Sequence, residues 1–336
     1  MKTAHIVFAL FAFAANLLCA QPVKSGEFVF ECPRFLCVHC ATITENANKE
    51  LICAWFGGKY EKSADTSIFV SRKIDGMWTL PKEVANAAEL TEKRQAAWNP
   101  VLWKYGNDII LSYKIGDSPR TWRGFYKISK DGGKTWSEPF AYPDGILGPI
   151  KNKPLITESG KIIAPSSTEF HSSFGWFPHF EISDDGKNWR KSAPRKSFTQ
   201  CIQPALVRTA NGQITAFMRS RNGVVATTTT KDLGESWSSI KKTNLNNPNS
   251  GLDAVFIDGV YAIACNPEKS GRTKLAIMVS KDAENWKILC YLEKQPHGEY
   301  SYPSLFVDSD GNLHAVYTYN RRYIKHVKLD KSEIKQ

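Results

Sequence analysis

The sequence lacks several features that define common classes of protein. After its first twenty residues it has no apolar run of the roughly 18 residues that a membrane-spanning helix needs. Its basic residues are scattered without a dense Lys/Arg run, so a nucleic acid is not an expected partner despite a net charge of +11. The pair Cys37 and Cys40 has no second Cys-x-x-Cys or paired His after it. We therefore expect no membrane span, no metal and no other cofactor.

The N-terminus has the pattern of a secretory signal. A charged start leads into an apolar run that ends at the small residue Ala20. The bulky Leu18 disfavours lipid attachment at Cys19. We expect residues 1–20 to be a signal peptide and residues 21–336 to form one domain, a monomer that is secreted or periplasmic.

Seven cysteines remain after this signal, and an odd number leaves at least one free thiol or an intermolecular bond. We interpret most of them as small apolar residues on buried strands. A disulfide among Cys32, Cys37, Cys40 and Cys53 is the alternative in an oxidising compartment, and the sequence does not choose the pair.

A short unit, Ser-x-Asp-x-Gly-x-Thr-Trp, recurs along the chain, and its best copy spans residues 129–136. Five copies, some of them divergent or one residue shorter, end at Trp78, Trp136, Trp189, Trp237 and Trp286. The intervals between these Trp residues are 58, 53, 48 and 49 residues. Asp and Gly both favour a tight turn. We expect each unit to be a β-hairpin whose Trp packs against a neighbouring sheet.

A second repeat, a strand followed by a Gly- or Asn-containing turn and another strand, runs out of phase with the first. Its copies begin at Cys40, Pro100, Pro154, Pro204, Asp253 and Pro303. Six copies of about 50 residues predict an all-β fold, a six-bladed β-propeller. A β-sandwich with chance similarity of turns would explain neither repeat. The last copy lacks the first unit, so we expect residues near Glu27–Phe30 to supply its fourth strand and close the ring.

Equivalent positions on six inner strands converge near a propeller axis, which makes them the first candidates for a site. The residues just before the repeat starts are His39, Asn99, Lys153, Gln203, Leu252 and Tyr302, with Asp253 one step along. Five of the six can form hydrogen bonds, which suits a hydroxyl-rich or anionic ligand. The alternative is a water-filled channel lined by polar groups.

Further charged residues follow the inner strands. They are Glu61, Asp65, Glu169, Arg219, Arg221, Arg272, Arg321 and Arg322. Each alone has the character of a surface charge. Together with the net positive charge of the chain, the arginines favour a carboxylate-bearing ligand, because a guanidinium binds a carboxylate with two parallel hydrogen bonds.

The recurrent unit resembles the Asp box of bacterial neuraminidases, and the chain resembles the sialidase superfamily over nearly all of its mature length. Segments that begin at Trp98, Gly148 and Asn247 resemble a divergent bacterial branch labelled BNR repeat-like. Met218–Arg221 and Asn266–Arg272 are similar to the segments that hold the second and third arginines of the sialidase carboxylate-binding triad.

The resemblance also implies roles for other residues. The segment Tyr300-Ser301-Tyr302 is similar to the one with the nucleophilic Tyr, so Tyr302 is the expected nucleophile, or Tyr300 if the register is shifted by two residues. Glu61 and Asp65 occupy the region of the acid/base Asp.

Two positions depart from the sialidase pattern. The stretch around His39 lacks the first triad Arg, and Gln203 stands where the Glu that accepts the Tyr proton is expected. Glu169 and Asp253 are the carboxylates that could substitute for it.

Three functions remain open on these residues. The first is an exo-glycosidase that removes a terminal sialic acid or related acidic sugar from a glycan. The second is a hydrolase or lyase that acts at a uronic acid, with His39 and Tyr302 as acid and base. The third is a propeller that binds an acidic glycan without catalysis.

Overall fold

Short β-strands joined by turns make up almost the whole structure, a computed structural model. It describes residues 26–31, 35–90, 93–170, 175–194 and 200–334. The predicted signal peptide and Cys32 lie outside these residues. In the described part of the chain, no helix is long and apolar enough to cross a membrane.

The strands of the first half form three sheets, after an N-terminal strand β1 (Glu27–Phe28) that belongs to the sixth sheet. The first sheet contains β2 (Cys37–Glu45), β3 (Leu51–Gly58), β4 (Ser67–Ile74), β5 (Met77–Trp78) and β6 (Lys82–Ala85). The second contains β7 (Ala96–Tyr105), β8 (Asp108–Gly116), β9 (Arg123–Ser129) and β10 (Phe140–Ala141). The third contains β11 (Leu155–Ile156), β12 (Ile162–Glu169), β13 (Trp176–Ser183) and β14 (Trp189–Ser192).

The second half forms three more sheets. The fourth contains β15 (Cys201–Arg208), β16 (Ile214–Ser220), β17 (Val224–Thr230) and β18 (Lys241–Asn246). The fifth contains β19 (Asp253–Ile257), β20 (Val260–Cys265), β21 (Lys274–Ser280) and β22 (Lys287–Lys294). The sixth contains β23 (Tyr300–Val307), β24 (Leu313–Tyr319) and β25 (Tyr323–Leu329). Short 3₁₀ helices span Ala87–Glu89 and Lys331–Ile334.

Each sheet is an antiparallel blade, and the six blades confirm the predicted propeller. The first strand of the chain, β1, pairs antiparallel with β25, with Glu27 opposite His326. The sixth blade therefore takes its outer strand from the N-terminus, as the missing sixth copy of the recurrent unit predicts. This pairing joins the two ends of the chain and closes the ring.

Four inner strands contain a β-bulge at the same place. The bulged residues, all with positive φ, are Cys40 (56°), Asn99 (37°), Gln203 (56°) and Tyr302 (53°). The bulges align Cys40 with Asn99, so the first copy of the repeat begins at Ala41, one residue later than the sequence predicted. A bulge re-aims the neighbouring side chains, and here it lies at the start of each strand, near the axis.

The five recurrent units form turns between the third and fourth strands of their blades, as predicted. In the best copy, Asp131 accepts hydrogen bonds from the backbone amides of Lys134 and Thr135 at 3.1 and 2.9 Å. Trp237 of the fourth blade stacks on Phe180 of the third, with ring centroids 3.6 Å apart. The Trp thus ties its blade to the preceding one.

Six cysteines lie among the described residues: Cys37, Cys40, Cys53, Cys201, Cys265 and Cys290. Four of them are buried, which agrees with their interpretation as small apolar residues on strands. The proposed disulfide is absent among Cys37, Cys40 and Cys53, the three of its candidates that the structure describes.

The polar segment before β11 fills the axis. The ammonium of Lys151 donates to the backbone oxygens of Leu252 and Pro303 and to Asn152 Oδ1, at distances of 2.9, 2.5 and 2.9 Å. Lys153 donates to the Ser304 hydroxyl at 2.9 Å. The third blade thereby bonds to the fifth and sixth blades across the axis.

We predict that the N-terminal segment stabilises the ring mainly through Phe30. Phe30 is buried and stacks on Trp55 of the first blade, with ring centroids 5.1 Å apart. Phe30→Ala should lower the free energy of unfolding by about 3 kcal/mol, because it leaves a cavity at the closure. Phe28→Ala, which removes a more exposed ring from the same segment, should cost about 1 kcal/mol or less. Urea denaturation measures both; equal losses would contradict this account of the closure.

Candidate active site

Tyr302 is the centre of a polar cluster at one end of the propeller axis. Its hydroxyl oxygen accepts a hydrogen bond from Arg219 Nη1 at 2.6 Å and lies 3.4 Å from Gln203 Nε2. The ring packs against His39, with ring centroids 4.0 Å apart. The bulges at Gln203 and Tyr302 bring these side chains together from the fourth and sixth blades.

Arg219 is held by neutral groups. Its Nε donates to Asn249 Oδ1 at 2.7 Å, and its guanidinium lies 5.1 Å from the ring of Trp176. Among the residues that the structure describes, it forms no ion pair with a carboxylate. Arg219 is therefore a half-buried cation whose charge is available to an anionic ligand.

Arg272 and Arg321 share a carboxylate on the same face. Arg272 Nη1 and Arg321 Nε lie 2.9 and 3.0 Å from Glu299 Oε1, and Arg321 Nη1 lies 2.8 Å from Glu61 Oε2. Arg272 also donates to the backbone oxygen of Asn249, the residue that holds Arg219. Burial alone would raise the pKa of Glu299, but the two arginines outweigh it and lower that pKa.

Arg321, which the sequence analysis named among the charges near the inner strands without giving it a specific role, is a member of the cluster. It lies in the turn between β24 and β25 with φ of 55°, and its backbone oxygen accepts a hydrogen bond from the Val38 amide at 2.8 Å. This bond attaches it to the start of β2, where the expected first triad Arg is missing. Its place after a second strand, like that of Arg219, is the signal by which the sequence analysis named it.

Three other contributors were not predicted: Asn249, Trp176 and Glu299. None of them stands out by residue type or by its place in a repeat. Glu299 directly precedes the Tyr300-Ser301-Tyr302 segment, which is the one hint in the sequence.

His39 is buried and electrically neutral. Its Nδ1 lies 2.8 Å from the Thr318 hydroxyl. Burial, followed by the positive charges of Arg321, Arg272, Arg219 and Lys151, holds its pKa well below the ordinary value of 6.5. At neutral pH the imidazole is thus uncharged, and in the ligand-free site it is a weaker base than a free imidazole.

Glu169 lies at the end of β12, next to Arg219, Arg221 and Trp176. Burial raises its pKa, although the two arginines and a hydrogen bond with Trp176 oppose that effect. Arg221 lies 4.0 Å from the Trp176 ring and is exposed. A carboxyl group with a raised pKa beside a cationic cluster is suited to hold and donate a proton.

The structure places the other predicted residues away from the Tyr302 hydroxyl. Asp65 is exposed in the β3–β4 turn; burial raises its pKa, but hydrogen bonds from Ser63 and the Lys59 amide outweigh it and lower that pKa. Asn99 donates to the Ile150 oxygen at 3.1 Å, and Tyr300 donates to the His297 oxygen at 3.2 Å. These contacts lie within the protein, and a role for these residues toward a ligand stays a prediction.

Asp253 and Lys153 belong to the axial network. Asp253 Oδ2 accepts hydrogen bonds from the Leu305 amide at 2.8 Å and from the Ser304 hydroxyl at 3.3 Å, and it lies 4.0 Å from Lys153 Nζ. Burial lowers the pKa of Lys153 to about 8. Both side chains are bonded to β23, and neither contacts the Tyr302 hydroxyl.

The acceptor for the Tyr302 proton is therefore not a directly bonded carboxylate in the described part of the chain. Gln203 occupies the expected place, and an amide does not take up a proton as a carboxylate does. Asp253 is bonded to Leu305 and Ser304, and Glu169 to Trp176. His39 is a neutral, titratable group beside Tyr302, with the two ring centroids 4.0 Å apart.

This architecture of six antiparallel blades with arginines around an axial Tyr is that of a sialidase-like propeller. The family model described as BNR repeat-like domain matches residues 49–315. The chain belongs to the BNR repeat-like domain family.

Solved structures have the same fold. A Hadza microbial sialidase superposes with a TM-score of 0.75 at 18% identity, covering 91% of this chain and 68% of its own. A protein of unknown function from Dyadobacter fermentans gives 0.73 at 15%, covering 92% and 98%. The intramolecular trans-sialidase from Ruminococcus gnavus gives 0.69 at 13%, also covering 92% and 98%. No curated protein sequence matches the chain.

We predict that His39 makes the fold less stable in acid. Because its folded pKa lies below 6.5, the unfolded chain takes up a proton as the pH falls through that value and the folded chain does not. Stability should therefore fall below about pH 6.5, by at most about 1.4 kcal/mol per pH unit for this group.

The measurement is urea denaturation at pH 7 and pH 5. His39→Gln should show a smaller loss between the two pH values than the wild type, whereas the exposed control His297→Gln should keep the wild-type loss. His314 and His326 also have lowered pKa values, chiefly through burial, so part of the loss remains in both variants. An unchanged loss in His39→Gln would contradict a neutral His39.

Proposed function

We propose that this protein is an exo-acting glycosidase that removes a terminal acidic sugar, sialic acid or a relative of it, from a glycan. The observation that carries the proposal is Arg219, which contacts the Tyr302 hydroxyl at 2.6 Å and has no carboxylate partner among the described residues. The fold shared with sialidases supports it. The N-terminal signal pattern supports secretion as the setting for such a substrate.

The carboxylate of the sugar binds first to Arg219. Arg272 lies close by, since both arginines contact Asn249, but its charge is shared with Glu299. A ligand carboxylate therefore gains most from Arg219 and approaches Arg272 only in competition with Glu299. A charge-assisted pair of this kind is worth about 1.5–3 kcal/mol.

In this proposal the Tyr302 oxygen attacks the anomeric carbon as the bond to the leaving oxygen breaks. Glu169 donates its proton to that leaving oxygen, and water later releases the sugar from Tyr302. The guanidinium of Arg219 stabilises the negative charge that develops on the Tyr302 oxygen as its proton leaves. His39, neutral and in contact with the Tyr302 ring, accepts that proton.

The contact between His39 and Tyr302 also favours a second candidate, proton transfer at a uronic acid. Arg219 would neutralise the carboxylate of the uronate, and His39 would remove the proton from the adjacent carbon. Tyr302 would donate a proton to the leaving oxygen, so that an elimination yields an unsaturated sugar. This reaction needs no carboxylate beside Tyr302.

We predict that Arg219 is required for recognition of acidic glycans. The wild type, incubated with sialosides and uronic-acid oligosaccharides, should release a terminal acidic monosaccharide detectable by mass analysis. Arg219→Gln should weaken binding at least about tenfold, since it removes a charge-assisted partner. Arg208→Gln, at the opposite end of β15, is the matched control and should behave as wild type.

The products separate the candidate functions. Release of the free terminal sugar, with water added across the glycosidic bond, supports the glycosidase. An unsaturated product supports the elimination. Binding without any product, with Arg219→Gln weakened, would leave a carbohydrate-binding propeller. Equal binding by wild type and Arg219→Gln would contradict the proposed anion site.

We predict that Tyr302→Phe separates binding from turnover. The change keeps the ring against His39 and removes only the reacting oxygen, so glycan binding should survive while turnover falls by orders of magnitude. Tyr300→Phe is the control; its hydroxyl contacts the His297 oxygen instead, and turnover should be retained. If Tyr300→Phe abolishes turnover and Tyr302→Phe does not, Tyr300 is the nucleophile and the assignment to Tyr302 is wrong.

A further inference from the structure

A second pocket lies beside the axial site, between the second and third blades. It has a volume of about 340 Å³, at the lower end of the range for small-molecule sites, which is the size for a single sugar ring. Its walls come from the β8–β9 turn, from the segment after β10 and from the end of β12. These segments lie on the same face as Tyr302, because the turns between second and third strands all lie at that end of the blades.

The pocket is basic. Arg120, Arg123 and Lys191 line it, against a single acidic residue, Asp144. Arg123 and Asp144 are paired at 3.4 Å but both are largely exposed, so this pair is weak. The guanidinium of Arg120 forms no hydrogen bond or ion pair with any other residue that the structure describes. Lys191 lies 3.8 Å from Glu181, so Arg120 is the lining cation whose charge is available to an anion, and Arg123 is the one whose weak pair an anion can replace.

Aromatic residues form the apolar part of the pocket. Phe170 is 50% exposed, Trp122 is buried, and both line the pocket. Phe170 is in edge contact with Phe177, which is itself 40% exposed. Aromatic surface combined with a few charged donors is typical of a site for an amphipathic ligand, such as a sugar with an anionic group.

The end of β12 is the common wall of this pocket and the axial site. Thr168 and Phe170 line the pocket, whereas Glu169, between them, interacts electrostatically with both Arg219 and Arg120. Successive side chains of a strand point to opposite sides. The end of β12 can therefore contribute residues to the pocket on one side and to the axial site on the other. A glycan whose terminal sugar lies at Arg219 can thus reach the pocket with its next unit.

We propose that this pocket is the subsite for the second sugar of the substrate and that it selects an anionic unit there, one with a carboxylate or a sulfate. The inference rests on the proposed function, because the axial site must hold the terminal sugar. It adds that the substrate is a glycan with acidic groups on two successive units. Arg120 and Arg123 are the specificity-determining residues.

The test compares probes that differ only in the second unit, with affinities measured by calorimetry. One pair is disialic acid against sialyl-galactose, and the other is digalacturonic acid against galacturonyl-galactose. Whichever pair binds, the wild type should prefer the member with the anionic second unit by about tenfold. A sulfated form of the neutral member then distinguishes sulfate from carboxylate.

The double variant Arg120→Gln with Arg123→Gln should lose this preference and keep its affinity for the neutral member. Arg208→Gln is again the control and should keep the preference. Equal binding of both members by the wild type, or a preference that survives the double change, would overturn the subsite while leaving the axial site intact. If no probe binds, or if Arg219→Gln binds them all as the wild type does, the proposed function fails together with the subsite.

Discussion

The buried ammonium of Lys151 is the constraint on which the site depends. An ammonium removed from water is costly unless its donors are satisfied, and Lys151 satisfies its three with the oxygens of Leu252, Pro303 and Asn152. Pro303 directly follows Tyr302, so the bond that satisfies the lysine also fixes the backbone that carries the Tyr. The side-chain amide of Asn152 in turn donates to the backbone oxygen of Gln203 at 3.2 Å. The axial network thereby sets the relative position of the two bulges that form the site.

The same end of the axis concentrates positive charge, and this explains the state of its other groups. His39 remains neutral because protonation would add a cation to Lys151 and three arginines in a buried place. Glu299 keeps its negative charge because Arg321 and Arg272 lie on either side of it. An anionic ligand relieves part of the repulsion at His39, so its arrival makes the imidazole a stronger base. In the proposed reactions, binding and proton transfer would then be coupled through the electrostatic field of the cluster rather than through a shared hydrogen bond.

The sequence predicted the fold better than the site, for a physical reason. The turns of the recurrent unit and the bulged inner strands are local, so their spacing is visible along the chain and gives the number of blades. The repeat placed Arg321 after a strand, but its bond with Val38 at the far end of the chain is a contact that no local pattern encodes. Asp253 lies at a strand start, as the repeat required, but its carboxylate turns to the Leu305 amide. Strand positions follow from the repeat, whereas side-chain partners depend on the blade alongside.

Gln203 affects two properties of the site: the charge that Arg219 offers to a ligand and the presence of a proton acceptor beside Tyr302. Its Oε1 lies 3.5 Å from Arg219 Nη1, so a carboxylate in its place would pair with that arginine. A Glu would supply a proton acceptor to Tyr302, but it would also neutralise Arg219, which has no carboxylate partner in the described structure. With the amide, Arg219 keeps its charge for the ligand and can donate to the Tyr302 oxygen. In the proposed function the site thereby gains anion affinity and lacks a carboxylate base, which leaves His39 as the proposed proton acceptor in either reaction.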